Sequence, residues 1–426
     1  MTPSLRPRAV VVVTGSELVR GDRADLNGPF LAHELVSLGV EPARVVIVGD
    51  APAELEAALR EALEADLCVV SGGLGPTHDD RTVETVARVL GLDLAVDPGL
   101  EREIEAVSRA IAERLRRPYA DFMAGVRKQA SLPDGAVSLG LAGTAPGILL
   151  EAGETAVVVL PGPPAELQRL WRVAAESAPL QRVLARAEAP ERRMLRFYGA
   201  SESEVARALE DAGGDGDGVE ATVCARDFEI HVDLVVARRG EPRADELTAA
   251  LRARLGRRLF AEDERSVAEL VLELCRERGL TLATAESCTG GLVAARLTAI
   301  PGSSDVFRGS VVAYADDVKA AELGVPAEVL ERHGAVSAET AAAMAAGARS
   351  ALRADLAVSV TGIAGPGGGT PEKPVGLVYL HASAADGELA ADFSVPADRG
   401  TIRNRAAVAA LHLVRRLLAR SRHQSA

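Results

Sequence analysis

A serine, a cysteine and a threonine stand side by side in TAESCTGG, as Ser287, Cys288 and Thr289. They lie between the apolar run 280–283 and the glycine pair Gly290 and Gly291. An apolar run closed by glycines reads as a strand turning into a helix, where a hydroxyl or thiol can be presented as a nucleophile. The same residue types are favoured helix N-caps, so a purely structural role competes with the catalytic one. No histidine lies near Cys288 in the sequence to activate it, and a cysteine so placed reads as a small buried residue.

A serine nucleophile needs a base. Of 48 cationic side chains only three are lysines, Lys128, Lys319 and Lys373, which makes each lysine conspicuous. Arginine keeps its proton at any useful pH, whereas lysine can lose it when partly buried. Lys319 follows Tyr314 by five residues in VVAYADDVKA, at the end of the strand after the serine turn. A solvated lysine at a helix start is the competing reading. Lys373 lies in the loop GGGTPEKPVG, where it meets an anion or solvent.

Elements of the right kind surround these residues. The first third alternates short Val-rich runs (9–13, 44–48, 67–70) with helix-period segments (26–38, 53–63, 82–90), a βαβ rhythm. Continuous apolar strands imply a parallel sheet covered on both faces. In such sheets ligands bind beyond the carboxyl ends of the strands. Here those ends carry TGSE (14–17), GD (49–50), SGGLGPTHDD (71–80) and, after the run 156–160, PGPPAE (161–166), all on one rim. From about 178 to 262 the texture changes to strands around a helix at 203–209, and AEDERS (261–266) reads as a linker. A second α/β segment follows, with strands at 280–285, 311–314, 356–360 and 375–381 and a closing helix at 403–418.

Composition bounds the function. A length of 426 residues, 48% apolar and 26% charged, predicts two or three folded domains. A net charge of −13 disfavours a nucleic-acid partner, because that affinity comes from neutralising phosphates with Lys and Arg. The four cysteines, Cys68, Cys224, Cys275 and Cys288, are scattered, which points to a reducing compartment, the cytoplasm. The apolar run 9–13 is too short for a signal peptide or a membrane span, so no membrane partner is expected. No HxxxH, HxH, GxxxxGK[ST] or GxSxG pattern occurs, which removes histidine metal centres, P-loop enzymes and α/β-hydrolases.

The stretches TAESCTGGLVAARLTAIPGSSDVFRGSVVAYADDVKAAELGV and VTGIAGPGGGTPEKPVGLVYL resemble the carboxy-terminal domain of the CinA (competence/damage-inducible) proteins. SGGLGPTHDDRTVE, RKQASLPDGA, GTAPG and LPGPPAE resemble their amino-terminal domain. The resemblance spans essentially the whole chain in family order. It implies an α/β protein of two three-layer α/β domains joined by a small α+β domain. Residues 1–177 would be molybdopterin-binding-like, 178–262 the connector and 263–426 a nicotinamide mononucleotide amidohydrolase. The family's catalytic serine, tyrosine and lysine fall on Ser287, Tyr314 and Lys319, with no cofactor for that step. Backbone N–H groups of Thr289, Gly290 and Gly291 are expected to point outward toward an oxyanion or phosphate. In the glycine-rich TGIAGPGGGT, Gly365, Gly367 and Gly368 let backbone approach an anion, and Arg399 and Arg403 match the family's late arginine pair. Substrate binding and solvated helix charge compete for those arginines.

For the amino-terminal domain the resemblance implies an ADP-ribose pyrophosphatase using a divalent metal such as Mg²⁺. Asp80, with Asp79, matches the acidic metal position, while Asn27, Gly72 and Gly73 fall at substrate-binding places. Helix-terminal charge is the rival reading of Asp79 and Asp80. Two polar positions of the pattern are replaced, by Val126 and by Gly140 with Leu141. Expected partners are nicotinamide mononucleotide, ADP-ribose and a second copy of the chain in a homodimer. The alternative from another class is a nucleotide-binding regulatory protein without catalysis.

Overall fold

The computed structural model describes residues 6–421, and the chain forms two compact units, the first ending at Arg192 and the second beginning at Arg193. In the first, a six-stranded sheet runs Glu41–Val48, Arg8–Thr14, Leu67–Ser71, Thr155–Leu160, Pro146–Ala152, Val137–Leu141. The first four strands are parallel, and the last two turn back antiparallel. Val10, Val12, Cys68, Val70, Val157 and Val159 face one core. Val11, Val13, Leu67, Val69, Val158 and Leu160 face the other. Two-sided burial is why these strands read as continuous apolar runs, each buried valine or leucine contributing about 2 kcal/mol.

Helix Ala178–Leu184 sends Leu180 and Val183 into the second of these cores. The first unit therefore extends past residue 177, and the α+β sheet begins at the strand Glu191–Phe197.

The second unit holds two sheets. The smaller runs Val219–Arg226, Glu229–Val236, Glu191–Phe197, Leu259–Ala261. Ile230, Val232, Leu234 and Val236 pack one face onto helices Glu202–Asp211 and Glu241–Leu255. Strand alternation puts Glu229 and His231 on the opposite face. There Glu229 Oε1 lies 2.7 Å from His412 Nε2 and Oε2 lies 3.3 Å from His231 Nε2. The Tyr198 ring stacks on His412 at 3.7 Å, and Phe260 meets it edge-on at 4.7 Å. The expected linker 261–266 is structured. Ala261 ends a strand, and Ser266 caps helix Val267–Arg278 in a capping box with Glu269.

This buried cluster makes stability depend on pH. Burial pushes the His412 imidazole below its ordinary value of 6.5, outweighing the pull of Glu229. Burial pushes Glu229 upward, yet hydrogen bonds from His231 and His412 outweigh it and hold the carboxyl below 4.5. Both shifts are downward on folding, so the unfolded chain takes up protons first as the medium acidifies. The stabilisation is complete above the unfolded histidine value. It is lost as pH falls, first through the His412 range and then through that of Glu229. The urea midpoint of the wild type is expected to fall more steeply from pH 7 to pH 5 than that of His412→Gln. Parallel slopes would rule the cluster out as the source.

The larger sheet runs Phe307–Val312, Leu282–Glu286, Leu356–Gly362, Leu377–Ala384, Gly387–Ser394, the first three parallel and the last two antiparallel. Leu282, Leu356, Val358, Val360, Val378 and Leu380 share a core with helices Val267–Arg278 and Arg399–Ser421. The other face is small, Ala283, Ala285 and Ala357, and packs with Met344 and Ala348 of helix Ala338–Leu352. Helix Asp316–Leu323 presses against that helix so closely that a Cβ on Gly347 would lie 1.9 Å from Leu323 O. Only glycine fits there. The strand Phe307–Val312 ends before Tyr314, which therefore sits on the rim, and the strand Gly387–Ser394 is additional to those expected. Among the described residues no helix is long and apolar enough to cross a membrane.

Candidate functional site

Ser287 directly follows the interior strand Leu282–Glu286 and is 8% exposed. Its N–H donates to Val360 O at 2.9 Å, and its carbonyl accepts from Gly290 N at 3.1 Å, so its backbone is held on both sides. Glu286, fully buried, accepts from the N–H groups of Gly291 (2.9 Å), Val293 (3.1 Å) and Ala294 (2.9 Å). The expectation that Gly290 and Gly291 offer free outward N–H groups is therefore corrected. A serine carbonyl and a buried carboxylate take them. The helix that follows is short, Leu292–Thr298, and begins beyond the turn. Thr289 is fully buried and its Oγ1 has no hydrogen-bond partner among the described residues. Gly290 has φ +60°, and a Cβ there would lie 3.3 Å from an Arg403 guanidinium nitrogen.

Strand register brings the next two residues to the same place. Ala313 N donates to Glu286 O at 2.9 Å, one step beyond the strand end, so Tyr314 emerges beside the serine turn. Lys319 is 1% exposed, and its Nζ donates to Tyr314 O and to Asp316 Oδ1, each at 3.1 Å. The lysine is thus desolvated as expected, but a carboxylate stands against it. Among the described residues no hydrogen bond joins Nζ to Ser287 Oγ. To reach the serine, the Lys319 amine would have to leave Asp316.

The late arginines grip protein oxygens. Arg399 Nη2 donates to Tyr314 OH at 2.8 Å and Nη1 to Gly365 O at 2.6 Å. Arg403 Nε donates to Cys288 O at 3.1 Å and Nη2 to Thr289 O at 2.8 Å. Gly367 and Gly368 lie exposed further along the Gly365 loop, and Lys373 Nζ donates to His333 O at 2.5 Å. Burial pushes the Cys288 thiol up to about 12, so at neutral pH it carries its proton and is no nucleophile.

In the first unit, a cavity of about 610 Å³ opens at the carboxyl ends of the parallel strands, and Asn27, Gly72, Gly73, Asp79 and Asp80 all line it. The Asn27 Nδ2 group donates to Ser71 Oγ (2.9 Å) and Gly162 O (2.7 Å), while its buried Oδ1 has no partner among the described residues. Asp79 and Asp80 both accept from Thr77 Oγ1. That hydroxyl holds the Asp79 carboxyl below the usual carboxylate range. Among the described residues no three His, Cys, Asp or Glu side chains gather as a metal cage. A divalent ion bridging phosphates needs only one or two protein carboxylates, and in that looser sense these residues fit one. Val126, 4% exposed, belongs to the core, so an apolar side chain there serves packing.

Residues 264–418 match the family described as CinA C-terminal domain, and residues 10–180 match a probable molybdopterin binding domain. A CinA-like protein of Mycolicibacterium gilvum is 46% identical over 418 residues, covering 96% of this chain and 98% of its own. The chain belongs to the CinA family. A CinA-like protein of Mycobacterium tuberculosis (strain H37Rv) is 45% identical over 425 residues, covering 96% of this chain and 97% of the relative. Among solved structures, a competence/damage-inducible protein from Agrobacterium tumefaciens is 44% identical, covering 37% of this chain and 99% of its own, with a TM-score of 0.35.

Within this CinA-family chain, two site residues and one buried cluster away from the site escaped the sequence. Glu286 was visible only as a charged residue closing an otherwise uncharged strand. Asp316 stands in the ADD stretch after Tyr314, where serine and asparagine are common in the family, but nothing in that departure announced its pairing with Lys319. Glu229, His231 and His412 are brought together by a strand and a distant helix, which no local spacing encodes.

Proposed function

We propose that the C-terminal CinA domain hydrolyses the amide of nicotinamide mononucleotide to nicotinic acid mononucleotide and ammonia. The observation carrying this reading is the meeting of Ser287 and Tyr314 at the ends of adjacent parallel strands, with buried Lys319 hydrogen-bonded to the Tyr314 carbonyl. Ser287 Oγ attacks the amide carbon and its proton passes to Lys319 Nζ, which has first parted from Asp316 and given its own proton to solvent. The C–N bond breaks, and nitrogen leaves as ammonia with that proton. Water then adds to the seryl ester and gives a proton to Lys319. The ester C–O bond breaks, and that proton returns to Ser287. Tyr314 orients the pair or relays the proton.

A second reading concerns the first unit and is favoured by its cavity, whose volume suits a nucleotide. It is metal-dependent hydrolysis of the ADP-ribose pyrophosphate. Asp79 and Asp80 would hold the divalent ion, which when bound neutralises charge on the phosphates. Gly72 and Gly73 offer bare backbone, and Asn27 Oδ1 offers a buried acceptor.

One experiment addresses both. The purified protein is expected to release ammonia from nicotinamide mononucleotide equally with and without chelator, and to turn over ADP-ribose only without it. Asp80→Asn is expected to lower ADP-ribose turnover by about 100-fold and leave ammonia release unchanged. Chelator-insensitive ADP-ribose turnover would remove the second reading. Tight nucleotide binding with no product from either substrate would replace both with a regulatory role.

A further inference from the structure

Arg399 and Arg403 lie four residues apart, on one face of helix Arg399–Ser421. That helix is firmly seated, with Ile402, Ala406 and Ala407 fully buried in the core beneath the sheet. From this face two guanidinium groups reach three separate loops. Arg403 takes the Cys288 and Thr289 carbonyls of the serine turn, and Arg399 takes the Tyr314 phenol and the Gly365 carbonyl. We propose that the two arginines are positioning residues that hold the Tyr314 phenol and the Ser287 turn in register, rather than ligands of the substrate phosphate. This inference rests on the amide-hydrolysis reading above.

Donor chemistry supports the assignment. A guanidinium only donates, so the Tyr314 oxygen accepts from Arg399 and the phenolic hydrogen points to another partner. Charge assistance makes that O–H a stronger donor toward a developing oxyanion or departing nitrogen. On the other side, peptide units are planar and trans. Fixing the Cys288 carbonyl toward Arg403 therefore turns the Thr289 N–H away from it. Of the three N–H groups at this turn, those of Gly290 and Gly291 are already consumed inside the protein. Gly290 suits the arrangement, because the guanidinium lies within 3.3 Å of where its Cβ would be. Lysine cannot replace either arginine fully, since one ammonium lacks the planar fork that spans two oxygens.

The test compares nicotinamide mononucleotide with nicotinamide riboside, which lacks the phosphate, as substrates of wild type, Arg399→Met, Arg403→Met and Arg403→Lys. Positioning predicts that kcat falls about 10- to 100-fold in both methionine variants, with KM for the mononucleotide changed less than about threefold. The loss is shared by the riboside, and Arg403→Lys recovers only part of it. A rise in KM confined to the mononucleotide, with riboside turnover intact, would overturn the proposal and make the arginines phosphate ligands. Hydrogen exchange over residues 286–291 reads the brace without turnover. Faster exchange in Arg403→Met is expected, and unchanged exchange would overturn it. A wild type that releases no ammonia from either substrate sinks the amidase reading, and the exchange measurement still decides the brace.

Discussion

Ser287→Ala is expected to cut ammonia release from nicotinamide mononucleotide by at least about 10³-fold, while Cys288→Ala stays within about twofold of wild type. The contrast is sharp because the two side chains are adjacent in sequence and opposite in chemistry. Cys288 is 4% exposed and its thiol is held protonated by burial, with a value pushed up to about 12. It lacks the thiolate charge of a nucleophile. Ser287 has its backbone fixed on both sides and an Oγ that no side chain among the described residues engages, so the hydroxyl is free to meet a substrate. Coupled detection of ammonia with both variants in parallel, each checked for folding by circular dichroism, measures this. Full activity in Ser287→Ala would move the chemistry elsewhere, and loss in Cys288→Ala alone would transfer it to the thiol.

Lys319→Met is expected to lose about 10²- to 10⁴-fold in kcat, the usual worth of a positioned acid–base group, while unfolding at an unchanged or higher temperature. A lysine with a side chain 2% exposed, paired to one carboxylate, is expensive to keep in a folded protein. Replacing a buried ion pair by apolar side chains is commonly neutral or stabilising, and removing one partner is costly chiefly when the other charge is left buried. Asp316, left alone, is 60% exposed and resolvates at little cost. Activity falling while stability holds therefore marks a residue kept for chemistry. Lys319→Arg should be no better than methionine, because arginine does not give up its proton. A marked fall in melting temperature for Lys319→Met would instead assign the lysine a structural role.

Much of the architecture was legible because its cause is local. Val10 to Val13 and Leu67 to Val70 are apolar at every step, since a sheet buried on both faces has no polar side to show. The rim loops followed from that. Ser287 and Tyr314 were paired by the family resemblance, and the strand register that sets them side by side was not read from the sequence. What stayed hidden depends on long-range partners. The strand Gly387–Ser394 is mostly exposed and half-buried, with Leu389 its one buried side chain, so its sequence resembles a loop. Helix Ala178–Leu184 belongs to the first unit through Leu180 and Val183, two side chains that no boundary signal announces. Glu286 is indistinguishable in sequence from a solvated strand-end glutamate until three amides are seen converging on it. The glycine-turn amides were expected to face outward because nothing in the sequence showed that this carboxylate had claimed them.

Helix Arg399–Ser421 carries Arg403 near its start and His412 nine residues later, about 14 Å along its axis. Cutting the chain ahead of Ser266 would strip Glu229, Tyr198 and Phe260 from His412 and leave an apolar, imidazole-bearing flank in water. The CinA C-terminal domain is thus not a detachable cassette as it stands. A shortened descendant would have to resurface position 412 and its surroundings before it could live alone.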